Sequence, residues 1–301
     1  MSDYAVILSA RNSSERLPNK ATVSYCPDGT PNIVQIIRRW RASRRNPVIV
    51  VATSDTAPDD SIAALCAPLG VSCYRGSLND VVSRMDGAVN DYAPDARYIA
   101  RALADNPLVD VGLADWRLDV LCETDADGLY YGGDESRITY AGTTDIFSRS
   151  AWDRIARAST GEDREHPGAH FWNNIGKYSA IQLPLPPREY LAPVRTELDT
   201  LADLEMFRRL WEYAPREKVF PTLDAMEILT VHPSISALNS HIAVKTQSRP
   251  SYGRGSAFIC RDCARRTGTV DAGNLVLRCS HCGKPQKFYS VKPTKPSRIT
   301  Y

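Results

Sequence analysis

Residues 8–22, LSARNSSERLPNKAT, set Arg11, Arg16 and Lys20 on one short segment with Ser13 and Ser14 between them. Three cations with hydroxyl and backbone donors are what a triphosphate needs. A solvated basic loop has the same composition, and on composition alone it is the favoured reading. The segment lacks glycine, and is therefore neither the G-x-x-x-x-G-K-[ST] phosphate loop nor the G-x-G-x-x-G dinucleotide turn. A second constellation lies near the far end, where Cys260-x₂-Cys263 and Cys279-x₂-Cys282 are separated by fifteen residues. That is the spacing of a four-thiolate Zn²⁺ site. Four protein ligands close the tetrahedron, so the metal is structural, and about 10–16 kcal/mol of binding folds a module this small.

Other clusters carry weaker signals. His166 and His170 are four apart, but Pro167 and Gly168 between them argue against a helix that would put both rings on one face. Asp105 precedes NPLVD and Asp199 precedes TLADLE, where either could cap a helix or turn. Asp80 and Arg84 are spaced as an i, i+4 pair. RRWRASRR, residues 38–45, holds five arginines. The favoured reading is a solvated helix end whose cations complement the helix C-terminus, ahead of a nucleic-acid patch.

These groups need elements to hold them. Strand-like apolar runs (Ala5–Leu8, VIVVATS, VSCYRG, RYIARALAD) alternate with helical stretches (Ile33, Ile37 and Trp40; DDSIAALCAPLG; LNDVVSRMDGAVNDY). Continuous Val/Ile runs suit strands buried on both faces, so the expected fold class is α/β, a mostly parallel sheet with helices on both faces. The second half is less regular, with expected strands at RITYAG and YSAIQLPL and helices at SAWDRIARAS and TLADLEMFRRLWEYA. In open α/β sheets ligands bind where the loops leave the carboxyl ends of the strands. The first loop, Thr53 and Asp55, Arg75 to Asp80, and Asp105 follow successive strands in that position.

The 301 residues, 43% hydrophobic, suffice for one main domain and a smaller one. Residues 241–301 hold twelve Lys or Arg against two Asp, whereas residues 1–240 hold 25 against 33 Asp or Glu. The expected division is a domain over 1–243, a Ser/Gly/Pro/Arg linker over 244–256, and a zinc ribbon with a basic tail over 257–301. Arg261, Arg265, Arg266, Arg278, Lys284 and Lys287, with Phe288 and Tyr289, suit a nucleic acid partner, or equally a protein partner such as the acidic body. The N-terminus has no signal-peptide pattern and no run of about 18 apolar residues occurs, so a cytoplasmic protein with no membrane contact is expected. Cys26, Cys66, Cys73 and Cys122, scattered singly, fit a reducing compartment.

Order adds what composition lacks. ARNSSERLPNK resembles the A-R-x-G-S-x-R-L-P-x-K signature of cytidylyltransferases related to spore coat polysaccharide biosynthesis protein F, similar to the CMP-KDO and CMP-sialic acid synthetases. VVATSD, YRGSLNDVVSRM, RALADNPLVD, TTDIFSRSAW, DREHPGAHFW and RTELDTLADLE follow in family order, so the resemblance spans about residues 4–213. It implies a nucleotide-diphospho-sugar transferase-like fold that activates a sugar or sugar acid with CTP, releases pyrophosphate and depends on Mg²⁺. By resemblance Arg11, Lys20, Asp105 and Asp199 are catalytic, the two aspartates holding Mg²⁺. Ser9, Ala10, Arg11, Ser14, Arg16, Lys20, Thr53, Asp55, Arg75 and Asp80 face the nucleotide, and Arg101, Arg164, Glu165 and His166 the acceptor. Relatives are commonly dimers, so a homodimer is a further expectation. Ser13 and Ala104 stand where the family has glycine, Asp145 where glutamate is usual, and His170 where it has tyrosine. With the extra ribbon, these departures motivate an alternative: a catalytically altered nucleotide-binding module that uses the ribbon to bind nucleic acid or an assembly.

Overall fold

The structure, a computed structural model, describes residues 2–131, 139–183, 194–215 and 219–242, and beyond them the backbone of four short strands. The first half follows the expected alternation: β1 (Tyr4–Ser9), α1 (Asn32–Arg41), β2 (Val48–Ser54), α2 (Asp60–Cys66), β3 (Ser72–Gly76), α3 (Val81–Tyr92) and β4 (Tyr98–Leu103). Then come α4 (Val111–Thr124), β5 (Gly128–Tyr131), β6 (Asp145–Ser148), α5 (Arg149–Ala158), α6 (Ala169–Asn173), β7 (Ala180–Leu183), α7 (Leu201–Trp211), α8 (Thr222–Val231) and α9 (Pro233–Ser236). The sheet order is β3-β2-β1-β4-β6-β5-β7. Strand β6 is antiparallel to both its neighbours, and the other pairings are parallel.

Strand β1 is buried on both faces because it lies inside this sheet: Val6 and Leu8 join one core with Ile33, Ile37 and Trp40 of α1, while Ala5 and Ile7 join the other with Met85 and Val89 of α3. A third core gathers Leu17, Tyr25, Leu108, Leu198, Phe207, Leu210 and Met226. It pins the first loop, the segment after β4 and the approach to α7 to one another.

Two expectations need correction. Of RITYAG, residues Tyr140–Gly142 form a 3₁₀ turn and not a strand. Helix α4 has no counterpart in the sequence reading, because Asp115 and Arg117 are buried along it and break its apolar pattern. Each has a partner inside: Asp115 accepts from Ser43 Oγ (2.6 Å), and Arg117 donates to the Leu129 carbonyl (3.2 Å). The arginines of RRWRASRR are taken up within the chain: Arg39 is buried against Thr222 Oγ1, Arg41 meets the Leu69 carbonyl, and Arg44 and Arg45 both meet Asp119.

Among the described residues no helix is long and apolar enough to cross a membrane. In the tail, β8 (Phe258–Ile259) pairs antiparallel with β9 (Arg266–Thr267), and β10 (Val276–Arg278) with β11 (Pro285–Lys287). Cys260, Cys263, Cys279 and Cys282, and the linker 244–256, lie outside the described residues.

Candidate active site

The first loop leaves β1 and is fastened from beneath. Asn12 donates its amide to Asp59 Oδ1 (2.7 Å), and Asp59 Oδ2 accepts from the amide and hydroxyl of Ser54 at the end of β2. Asp59 is fully buried, so this carboxylate is the peg on which the loop turns. Leu17 adds an apolar anchor, and Ser14 Oγ accepts from the Leu17 amide (3.3 Å). Asn32, also fully buried, donates to the carbonyls of Lys20 (3.1 Å) and Ala104 (2.6 Å), tying the loop's end to the end of β4.

Asp105 follows β4, and its carbonyl accepts from the Leu198 amide (2.9 Å), which sets Asp199 beside it. Lys20 Nζ lies 3.0 Å from Asp199 Oδ1 and 3.8 Å from Asp105 Oδ2. The expected meeting of Asp105, Asp199 and Lys20 is therefore present in the geometry, across 94 residues between the carboxylates. Arg16 meets the second oxygen of Asp199. Below it, the capping box of Thr200 and Asp203 starts α7, and Asp203 also accepts from the Asp199 amide (3.0 Å) and from Arg195. Glu197 lies close by; burial pushes its carboxyl up, Arg195 Nη1 at 2.6 Å opposes, and Asp105 and Asp199 push in the same direction as burial.

The two aspartates fit a hard divalent cation, since they already converge on one positive group, the Lys20 ammonium. Among the described residues no group of three or more His, Cys, Asp or Glu gathers as a metal cage. A pair suffices for Mg²⁺, which takes one or two carboxylates and fills its shell with phosphate oxygens and water.

The remaining expected residues divide. Ser9 and Ala10 end β1 and begin the loop, and Asp55 is exposed at the end of β2. Thr53 is fully buried within β2, its hydroxyl without a hydrogen-bond partner among the described residues. Arg75 donates to the carbonyls of Ser54 and Thr56 and meets Asp60, wrapping the β2 end. Asp80 caps α3 through the Ser83 amide and holds Arg164 at 2.5 Å, while Arg164 also donates to the Ala156 and Ser159 carbonyls. Arg164 is thus a fastener between two segments. Glu165 and His166 are exposed, and Glu165 reaches across to Arg11 (3.6 Å). His170 turns to Asp163 (3.7 Å).

Arg101 is engaged as well: Nε and Nη2 both donate to Asp145 Oδ2 (3.1 and 2.8 Å), and both side chains are nearly buried. Burial alone would lower the Arg101 pKa, but Asp145 and Tyr140 beside it raise it above the usual value. The pair lines a small cleft with Asn106, Tyr140, Thr143 and Thr144. Tyr140 donates its hydroxyl to Asp105 Oδ1 (3.0 Å), so this cleft opens beside the paired aspartates, and burial, then Asp105, pushes the phenol well above its usual pKa. Tyr140, Asp59, Asn32 and Glu197 escaped sequence reasoning. Only the Glu197 position carried a signal, lying inside the RTELD motif.

The chain resembles known proteins along most of its length. It is 29% identical over 241 residues to spore coat polysaccharide biosynthesis protein SpsF of Bacillus subtilis, covering 77% of this chain and 94% of that protein. A cytidylyltransferase structure from Leptospira borgpetersenii superposes with a TM-score of 0.71 at 23% identity, over 81% of this chain and 99% of that one. CMP:2-keto-3-deoxy-manno-octonic acid synthetase, solved in complex with CTP, superposes at 0.51 and 14% identity, over 69% and 98%. The cytidylyltransferase family model matches residues 5–158, just over half of the chain, which therefore belongs to the cytidylyltransferase family and is a nucleotidyltransferase.

Proposed function

We propose that this protein transfers the cytidylyl group of CTP to a hydroxyl of a sugar or sugar acid, releasing pyrophosphate. The observation that carries the reading is the convergence of Lys20, Asp105 and Asp199 from three distant segments beside the Arg11–Arg16 loop. Arg11, Arg16 and Lys20 each face a carboxylate now, and a triphosphate offers them anionic oxygens of the same kind. Arg11 and Lys20 hold and orient the phosphates so that the acceptor oxygen approaches the α-phosphorus opposite the leaving pyrophosphate. Their charges take up part of the negative charge that develops on the leaving oxygens. Mg²⁺ held by Asp105 and Asp199, when bound, supplies further charge neutralisation at the phosphates. The acceptor enters beside Tyr140, Thr143 and Thr144.

Pyrophosphate release from each of the four ribonucleoside triphosphates, against a panel of sugars and sugar acids, tests this reading. It predicts release from CTP with the right acceptor and loss in Asp105→Ala; turnover unchanged in that variant sinks it.

For the tail we propose a structural zinc ribbon. Its support is the cysteine spacing together with the two antiparallel strand pairs, each of which brackets one Cys-x₂-Cys in sequence. One zinc per chain by elemental analysis, lost in Cys260→Ser, is the expected result; chain purified without chelator and free of zinc refutes it.

A further inference from the structure

Arg84, on the first turns of α3, is 1% exposed yet has no carboxylate within ion-pair distance among the described residues. Its guanidinium instead grips three neutral acceptors. Nη1 donates to the carbonyls of Ser77 (2.6 Å) and Leu78 (3.2 Å), Nη2 donates to Ser9 Oγ (3.2 Å), and Nε is buried without a partner. Burial and then the charge of Arg11 push the Arg84 pKa down, against the opposing effect of Asp59, Asp55 and Asp80. Burying a charge in this way is unfavourable, and packing alone would be met by an apolar side chain. What the arginine adds is a rigid fork that fixes several acceptors at once.

The acceptors belong to two loops of the site. Ser9 ends β1, where the phosphate loop begins, and Ser77 and Leu78 follow β3. In a planar trans peptide the N–H points opposite to the C=O. With the Ser77 and Leu78 carbonyls drawn onto Arg84, the amides of Leu78 and Asn79 point away from it, and neither donates to a described residue. The next amide, Asp80, goes to Ser77 Oγ (3.0 Å), so the turn is held at both ends. Two successive donors at the carboxyl end of a strand stand where a ligand binds in this class of sheet. Adjacent acceptors are what the O2 and N3 edge of cytosine presents, whereas N3 of uracil is a donor.

We propose that Arg84 is a positioning residue for base selection, holding the turn after β3 so that the Leu78 and Asn79 amides read the pyrimidine edge of the nucleotide. The inference rests on the CTP reading above. Arg84→Lys keeps the charge and removes the fork. Folding is checked by thermal melting, and KM and kcat are measured for CTP and UTP. KM for CTP rises about tenfold, roughly the worth of one or two hydrogen bonds. The CTP-to-UTP preference falls by a similar factor, while kcat stays within about threefold. A folded variant with KM and preference within twofold of wild type overturns the inference and leaves the CTP reading standing. In the wild type, hydrogen exchange over residues 77–80 slows with CTP and not with UTP at equal concentration; no slowing with CTP overturns the inference even if the variant does not fold. Wild type that binds no CTP by calorimetry overturns the CTP reading and this inference together.

Discussion

Asp203→Asn tests how the fold holds Asp199. Asp203 is fully buried, and its oxygens accept six hydrogen bonds. Oδ1 accepts from Arg195 Nε (2.8 Å) and Asn239 Nδ2 (2.9 Å), and Oδ2 from Arg195 Nη2, the amides of Asp199 and Thr200, and Thr200 Oγ1. Because both oxygens face donors, the asparagine NH₂ opposes a donor whichever way it is turned. Removing one partner of a buried ion pair destabilises by about 3–5 kcal/mol, and here Glu197 at 2.6 Å still compensates Arg195, which favours about 3 kcal/mol. For a chain of this size that is a fall in Tm of about 6–12 °C at neutral pH. Burial pushes the Asp203 carboxyl up, but hydrogen bonds from Arg195, Asn239 and Thr200 and the Arg195 charge hold it below the usual range. The folded pKa is thus below the unfolded value of about 3.9, so this stabilisation is complete above that value and is lost as pH falls through the folded pKa. The gap in Tm between wild type and Asp203→Asn should be constant above about pH 5 and narrow in acid below about pH 4. Calorimetric melts from pH 7 to pH 3 read this directly. Pyrophosphate release should also fall about 100-fold, since freeing the Asp199 amide lets a site group shift by about 1 Å. A Tm within 2 °C of wild type at pH 7 and a gap indifferent to acid would refute the reasoning.

Asp59→Ala leaves the Asn12 amide and the Ser54 amide and hydroxyl without their buried acceptor; stability should fall by about 3 kcal/mol and KM for CTP rise about tenfold, measured by denaturant titration and initial rates. Gly168 has φ +99°, and a Cβ there would lie 3.4 Å from the Phe147 ring and 3.6 Å from Asp145 Oδ2, so space is adequate and backbone strain decides. Gly168→Ala should therefore destabilise by about 1–3 kcal/mol, and an unchanged melt would show that the turn relaxes at no cost.

The sequence made the first half of the sheet plain, because Val/Ile runs at β1 and β2 and the 3.6-residue spacing of Ile33, Ile37 and Trp40 are local signals. The cations of the loop and their order before Asp105 and Asp199 were equally visible. What stayed hidden depends on partners far along the chain. Asp59 reaches Asn12 over 47 residues, Asp115 reaches Ser43 over 72, and Arg39 reaches Thr222 over 183. A charge that is satisfied inside looks, in one dimension, like a charge meant for water, which is why α4 was missed. The same ambiguity ran the other way for Arg75, Arg101 and Arg164: cations suited to a phosphate or an acid are already engaged with Asp60, Asp145 and Asp80. Thr53, expected just after the second strand, lies within β2 and is fully buried.

Manganese electron paramagnetic resonance, with a non-hydrolysable CTP analogue present, reads the pairing of Asp105 and Asp199 most directly. One Mn²⁺ bound per chain in the presence of nucleotide, with affinity reduced at least about tenfold in both Asp105→Asn and Asp199→Asn, is the predicted result. Binding of equal strength in the wild type and both variants would contradict a shared divalent site at these carboxylates.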